Sequence, residues 1–135
     1  MSAPRVLLLV SLVCLSGGCL GGPPVVLEDV FAQSEATYDA IAQAYHVRVQ
    51  GRLANHASEA QRILVVYFAV TEGCNAPKEW PHSVGVENLA AGASTNVGTE
   101  FDQGSARIRG PQLMYRVTAD GVQVGSGCGG LAVGT

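Results

Sequence analysis

Residues 113–128 read LMYRVTADGVQVGSGC, and this stretch decides the fold. Asp120-Gly121 suits a two-residue type I′ turn, which requires positive φ at both central positions. Folding the chain there sets Ala119 opposite Val122, Val117 opposite Val124, Tyr115 opposite Ser126 and Leu113 opposite Cys128. Those eight side chains share one face and are mostly apolar. Gln112, Met114, Arg116, Thr118, Gln123, Gly125 and Gly127 take the other face. Turn chemistry and face segregation agree on one register, because a one-residue slip would exchange the faces. The expectation is an antiparallel hairpin with the Cys128 sulfur turned into the core.

Upstream the same grammar recurs. Val47, Val49, Gly51 and Leu53 alternate with His46, Arg48, Gln50 and Arg52, the period of a strand with one wet face. Asn55 to Glu59 is a polar turn. Ile63 to Val70 (ILVVYFAV) is continuously apolar, β-branched or aromatic, which predicts a central strand covered on both faces. Ser83–Leu89 and Thr95–Phe101 read as weaker strands joined by the Ala-Ala-Gly-Ala turn at 90–93. The exception lies at the start. Leu27, Phe31, Tyr38, Ile41 and Tyr45 recur at spacings of a helix face, and the spacing predicts a helix within 29–44, with an opening strand at 25–31 as the other reading.

Six or more strands with glycine-rich turns and no βαβ alternation predict an all-β fold, an antiparallel Ig-like β-sandwich with a short N-terminal helix. A helix packed on a curved antiparallel sheet (α+β) is the alternative. The run Val47-x-Val49-x-Gly51-x-Leu53-x-Asn55, then Val65-x-Tyr67-x-x-Val70, then Leu89-Ala90-Ala91-Gly92-Ala93-Ser94 resembles small bacterial Ig-like envelope domains of the CARDB and FxLYD types. That resemblance implies a sandwich and carries no activity.

The N-terminus has another character. Met1 to Arg5 is short and basic, Val6 to Leu15 is an uncharged run that is apolar but for Ser11, and Leu15-Ser16-Gly17-Gly18-Cys19 is a small-residue exit ending on a cysteine. As a helix the apolar run would measure about 15 Å, half of what a bilayer core requires. The segment resembles the type II signal peptide of bacterial lipoproteins, although the leucine usual three places before the cysteine is Ser16 here. The resemblance implies cleavage of residues 1–18 and lipidation of Cys19. Leu20 stands where an aspartate would retain a lipoprotein at the inner membrane, so it also implies an outer-membrane anchor on the periplasmic or surface face. Ser16-x-Gly18 equally suits ordinary signal peptidase and a secreted product. Residues 19–26 then read as lipidated cysteine and tether, and residues 27–135 as a single β-rich domain.

The whole chain carries a net charge of −3, and removal of Arg5 makes it more acidic. No basic run is present for nucleic acid or for anionic headgroups, so membrane contact is expected from the lipid alone. With Cys14 and Cys19 assigned to the export segment, Cys74 and Cys128 remain as a pair in an oxidising compartment; a disulfide is favoured over two buried thiols.

Candidate chemistry is sparse. His46, His56 and His82 show no metal-ligand spacing, and no G-x-S-x-G elbow is present. No cofactor is expected. The loop Asn75–His82 holds the only tryptophan between two prolines, beside Cys74. Lys78, Trp80 and His82 are the candidate partner-binding residues, because rigid loops with aromatic anchors often carry recognition. Alternatively Trp80 folds back over the open end of the core. The sequence therefore points to a non-catalytic, lipid-anchored envelope domain with an envelope protein or polysaccharide as partner. A small envelope enzyme or metal-binding protein using the scattered histidines is the competing reading.

Overall fold

The structure, a computed structural model, describes residues 24–134. Cys19, the export segment and the first part of the expected tether lie outside the described residues. Among the described residues, nine strands form two packed sheets: β1 (Val25–Glu28), β2 (Glu35–Asp39), β3 (Ala44–Asn55), β4 (Leu64–Glu72), β5 (His82–Val86), β6 (Ser94–Gly104), β7 (Pro111–Ala119), β8 (Val122–Gly130) and β9 (Ala132–Gly134). In the first sheet the long strand β3 pairs with β6 along one edge and with β1 and β2, end to end, along the other; β9 adds to β2 in parallel. The second sheet runs β5-β4-β7-β8, all antiparallel. This is the expected all-β sandwich, antiparallel but for the β2–β9 pair.

The core is built from alternate residues of both inner faces. Val47, Val49, Leu53 and Phe101 from the first sheet meet Leu64, Val66, Phe68, Leu113 and Val117 from the second. Tyr115 joins the layers by a polar contact: its buried hydroxyl accepts the Leu27 N–H at 3.1 Å. Burial pushes its phenol pKa up, only partly offset by that hydrogen bond. Asn55 organises the end at which β3 finishes. Its fully buried amide donates to the carbonyls of Glu59, Leu89 and Ala90 and accepts the Ala57 N–H, so two loops close on one side chain. Such a group is tolerated in a core because every polar atom is paired.

Three expectations need correction. The helix within 29–44 is a single turn, α1 (Val30–Gln33), so the α+β alternative also falls. Residues 35–39 extend instead, with Ala36 and Tyr38 buried and Glu35, Thr37 and Asp39 exposed. The chain then reverses at 40–43, where the Asp39 carboxylate accepts the N–H groups of Ile41 and Ala42 at 2.9 and 3.0 Å. That aspartate turn competes with helix formation, and it leaves Ile41, one of the supposed helix-face residues, 98% exposed. Secondly, Val25 and Val26 are not tether: they pair with Asn55 and Ala54, and Val25 is fully buried.

The third correction concerns the hairpin. Asp120 (φ 50) and Gly121 (φ 81) make the expected turn, and Ala119 pairs with Val122 and Thr118 with Gln123. A bulge then shifts the ladder: Val117 pairs with Gly125, Arg116 with Ser126, Tyr115 with Gly127 and Met114 with Cys128. A bulge sets two residues against one and exchanges the faces beyond it. Cys128 therefore faces outward with Met114, while Gly127 and Gly129 face the core. A Cβ on Gly127 would stand 2.5 Å from the Tyr115 ring, and one on Gly129 would stand 2.5 Å from the Phe31 ring. The two rings, 6.0 Å apart, lie directly on glycine backbone.

Gly127→Ala should therefore destabilise the domain by about 1–3 kcal/mol, the usual cost of overpacking. Gly130→Ala, whose Cβ meets nothing within 4 Å, should change it by less than about 0.5 kcal/mol. Urea unfolding of both variants checks this; equal effects would contradict the inward placement of Gly127.

Candidate functional site

The register fixes which loops share an end. Chain entry at Val25 lies beside Asn55, the last residue of β3. The first residue of β3, Ala44, pairs with Gly104 at the far end. There the Gln103 side chain grips β4 of the opposite sheet, accepting the Val70 N–H at 2.7 Å and donating to the Val70 carbonyl at 2.8 Å. Loops 40–43, 73–81 and 105–110 consequently gather at the end remote from Val25. Such loop clusters on a sandwich are where recognition is commonly housed.

Loop 73–81 does not stand out from that end. Cys74 and Cys128 are joined in a disulfide with Cα atoms 5.8 Å apart, on the outer face of the second sheet and not in the core. Trp80 packs 6.2 Å from the Tyr67 ring, with ring planes at 53°. The Arg116 guanidinium carbon lies 4.7 Å from the Tyr67 centroid and 5.6 Å from that of Trp80, within cation–π reach of both. On the same face of β4, Ala69 and Thr71 are buried although they point away from the sandwich core. Trp80 therefore covers the outer face of the sheet, neither capping the open end of the core nor projecting from it.

The expected trio does not form one site. Lys78 is exposed, Trp80 lies on the outer face, and His82 turns to the other side, between the sheets. The His82 Nε2 is 2.7 Å from the Thr99 Oγ1, and its ring stacks on Phe101 at 4.8 Å. Burial lowers the His82 pKa. What sequence reasoning missed is the cross-strand row Ser83–Tyr67–Arg116–Ser126, whose members sit directly opposite one another on β5, β4, β7 and β8. Arg116 was legible as an outer-face residue. Its partner Tyr67 was not, because the β4–β7 pairing is long-range.

The outer face of the first sheet is a field of paired charges. His46 sits between Asp102 (2.7 Å to Nδ1) and Glu100 (3.2 Å to Nε2), which raise its pKa, Asp102 the more strongly. Arg48 bridges Glu35 and Glu100, and Arg52 and His56 share Glu28. Each carboxylate beside His46 takes a different ring nitrogen, an ion-pair arrangement and not a chelate. Among the described residues, no three or more His, Cys, Asp or Glu side chains are grouped to hold a metal ion.

No family model matches the sequence, and no curated protein does. Among solved structures, a beta-glucuronidase of glycoside hydrolase family 2 aligns with 85% of this chain and 12% of its own, at a TM-score of 0.52 and 9% identity. A Bacteroides fragilis protein described as a beta-galactosidase aligns with 84% of this chain and 16% of its own, at 0.47 and 14%. An alkylpurine DNA glycosylase of Pseudomonas fluorescens aligns with 92% and 36%, at 0.38 and 18%. The chain thus spans a minor part of these longer proteins, and the glucuronidase likeness is one of fold alone.

Two predictions follow from this geometry. The Cys74–Cys128 bond closes a separation of 54 residues, for which chain entropy gives about 4 kcal/mol. Reduction should lower the melting temperature and red-shift the emission of Trp80 together; an unchanged melt would contradict the disulfide's role. His46 and His82 should also titrate in a fixed order. His46, with a raised pKa, contributes stability that is complete below the ordinary value of about 6.5 and lost as pH rises through the folded one. His82, with a lowered pKa, contributes stability present above that value and lost as pH falls through the folded one. NMR titration should place the His46 midpoint above about 6.5 and the His82 midpoint below it; the reverse order would contradict both environments.

Proposed function

We propose that this protein is a lipid-anchored lipoprotein of the cell envelope, attached to the outer membrane through Cys19, whose sandwich serves as a non-catalytic binding or assembly domain. The observation that carries the reading is the N-terminal segment: a basic start, a ten-residue apolar run and Leu15-Ser16-Gly17-Gly18-Cys19. Several acyl chains, at about 0.8 kcal/mol per buried CH₂, make such an anchor effectively permanent. Cys19 precedes the first core residue, Val25, by six positions. A domain tethered so closely holds its entry end, with Asn55 and the 120–121 turn, toward the bilayer. It offers the remote loops and its sheet faces to the periplasm or exterior.

The dispersal of the histidines supports a binding role over a catalytic one. His46 and His56 are engaged by carboxylates on the outer face of the first sheet, and His82 by Thr99 and Phe101 between the sheets. The partner is an envelope protein or a polysaccharide met by the outer layer built on the disulfide.

Cys19→Ser tests the anchor. The parent protein should enter the detergent phase on cloud-point partitioning, and its intact mass should carry the acyl chains. The variant should lose both properties. A Cys19→Ser protein that is processed and still partitions into detergent like the parent would overturn the reading.

A further inference from the structure

Arg116 is a cation without a counter-ion. Among the described residues the ion pairs involve His46, Arg48, Arg52 and His56, and Arg116 makes none. Its buried Nε has no hydrogen-bond acceptor. The guanidinium is nevertheless held in place, resting on Tyr67 at 4.7 Å with Trp80 at 5.6 Å. Stacking of this kind satisfies the face of the cation and leaves its N–H fork unanswered. Arg48 and Arg52 instead sit among carboxylates, whereas Arg107 likewise rests on a ring, 4.9 Å over Tyr38, but is exposed at the remote loop end.

The surroundings are equally specific. The row Ser83–Tyr67–Arg116–Ser126 crosses all four strands of the second sheet on one face, with exposed serines at both ends and the half-buried Tyr67 and Arg116 between them. At about 4.8 Å per strand the row is about 14 Å long. Trp80 rises beside its centre, fixed by a loop whose base is the Cys74–Cys128 bond. One cation, one aromatic ring and two terminal hydroxyls therefore lie along one line, with the indole of Trp80 beside it.

We propose that this row, with Trp80 as its wall, binds a uronic-acid polysaccharide laid across the strands. A sugar carboxylate would take the two terminal nitrogens of the Arg116 guanidinium, Nη1 and Nη2, as a bidentate pair, the buried Nε being out of its reach. The apolar C–H face of a sugar ring would pack on the indole, and ring hydroxyls would meet Ser83 and Ser126. A polyphosphate chain is a poorer match, since it calls for several cations and the row has one. An extended peptide would seek a strand edge, and this is a sheet face. The inference deepens the binding half of the function proposed above and is independent of the lipid, so either can fail alone.

Trp80 is the protein's only tryptophan, so its fluorescence reads this site directly. The full-length chain in neutral detergent micelles would be titrated with polygalacturonate, with alginate, and with dextran as the uncharged control. The expected result is a saturable change in emission with one or both uronate polymers and none with dextran. Arg116→Lys, which keeps the charge and the aliphatic stem, should weaken binding about tenfold, the loss of one bidentate pair. Arg62→Gln, on the loop at the entry end, should leave it unchanged. Melting curves for both variants separate loss of binding from loss of fold, and Ser126→Ala provides a second variant with little structural cost, expected to weaken binding severalfold. The proposal is overturned if neither uronate polymer binds, if Arg116→Lys binds as the parent does, or if Arg62→Gln weakens binding as much as Arg116→Lys, which would mark a general charge effect.

Discussion

The bulge in β8 beyond Thr118–Gln123 is the constraint on which the rest of this molecule depends. It inserts one residue after the turn and thereby exchanges the faces of the C-terminal strand. Gly127 and Gly129 go inward, and Ser126 and Cys128 go outward. Without side chains on the inner face, the Tyr115 and Phe31 rings can lie against the β8 backbone, and the Tyr115 hydroxyl can reach the Leu27 N–H of the opposite sheet. The junction between the two layers at this edge is therefore made by aromatic rings filling the volume that the glycines leave empty.

The outward half of the same exchange builds the second layer. Cys128 reaches Cys74 only because it stands on the outer face, and the bond pins loop 73–81 across β4 and β7. Trp80, Tyr67 and Arg116 stack on that outer face, where Ala69 and Thr71 are also buried, so the second half of β4 is buried on both faces while Val65 near its start is only half-buried. A strand rich in glycine is entropically costly to order. Here that cost is offset on one face by aromatic packing and on the other by a covalent cross-link.

Much of this was legible in the sequence. The Asp120-Gly121 turn, the alternation from His46 to Leu53 and the apolar run into β4 are local signals, and each produced the element it implied. The bulge was not legible from the alternation of apolar residues, since Val124 fits the unbulged face as well as Val122. The informative pattern was Gly125, Gly127 and Gly129 at a period of two, the mark of a face that something large must approach. The helix within 29–44 failed because Leu27, Phe31, Tyr38, Ile41 and Tyr45 mimic a helix face by coincidence across β1, α1, β2, the 40–43 turn and the start of β3. The alternation Glu35-Ala-Thr-Tyr-Asp39 and the turn-forming Asp39 were the better guide. At the site, the cysteine pair and Trp80 were found by residue type. The Tyr67–Arg116 contact depends on pairing across strands distant in sequence, which no local pattern encodes.

The most direct test of the account is the register of the β7–β8 hairpin, read by cross-strand backbone NOEs in the oxidised protein. The bulged ladder predicts contacts of Tyr115 with Gly127, Arg116 with Ser126 and Met114 with Cys128. Contacts of Tyr115 with Ser126 and Leu113 with Cys128 would instead place the cysteine in the core, contradicting both the glycine-lined edge and the outer layer built on it.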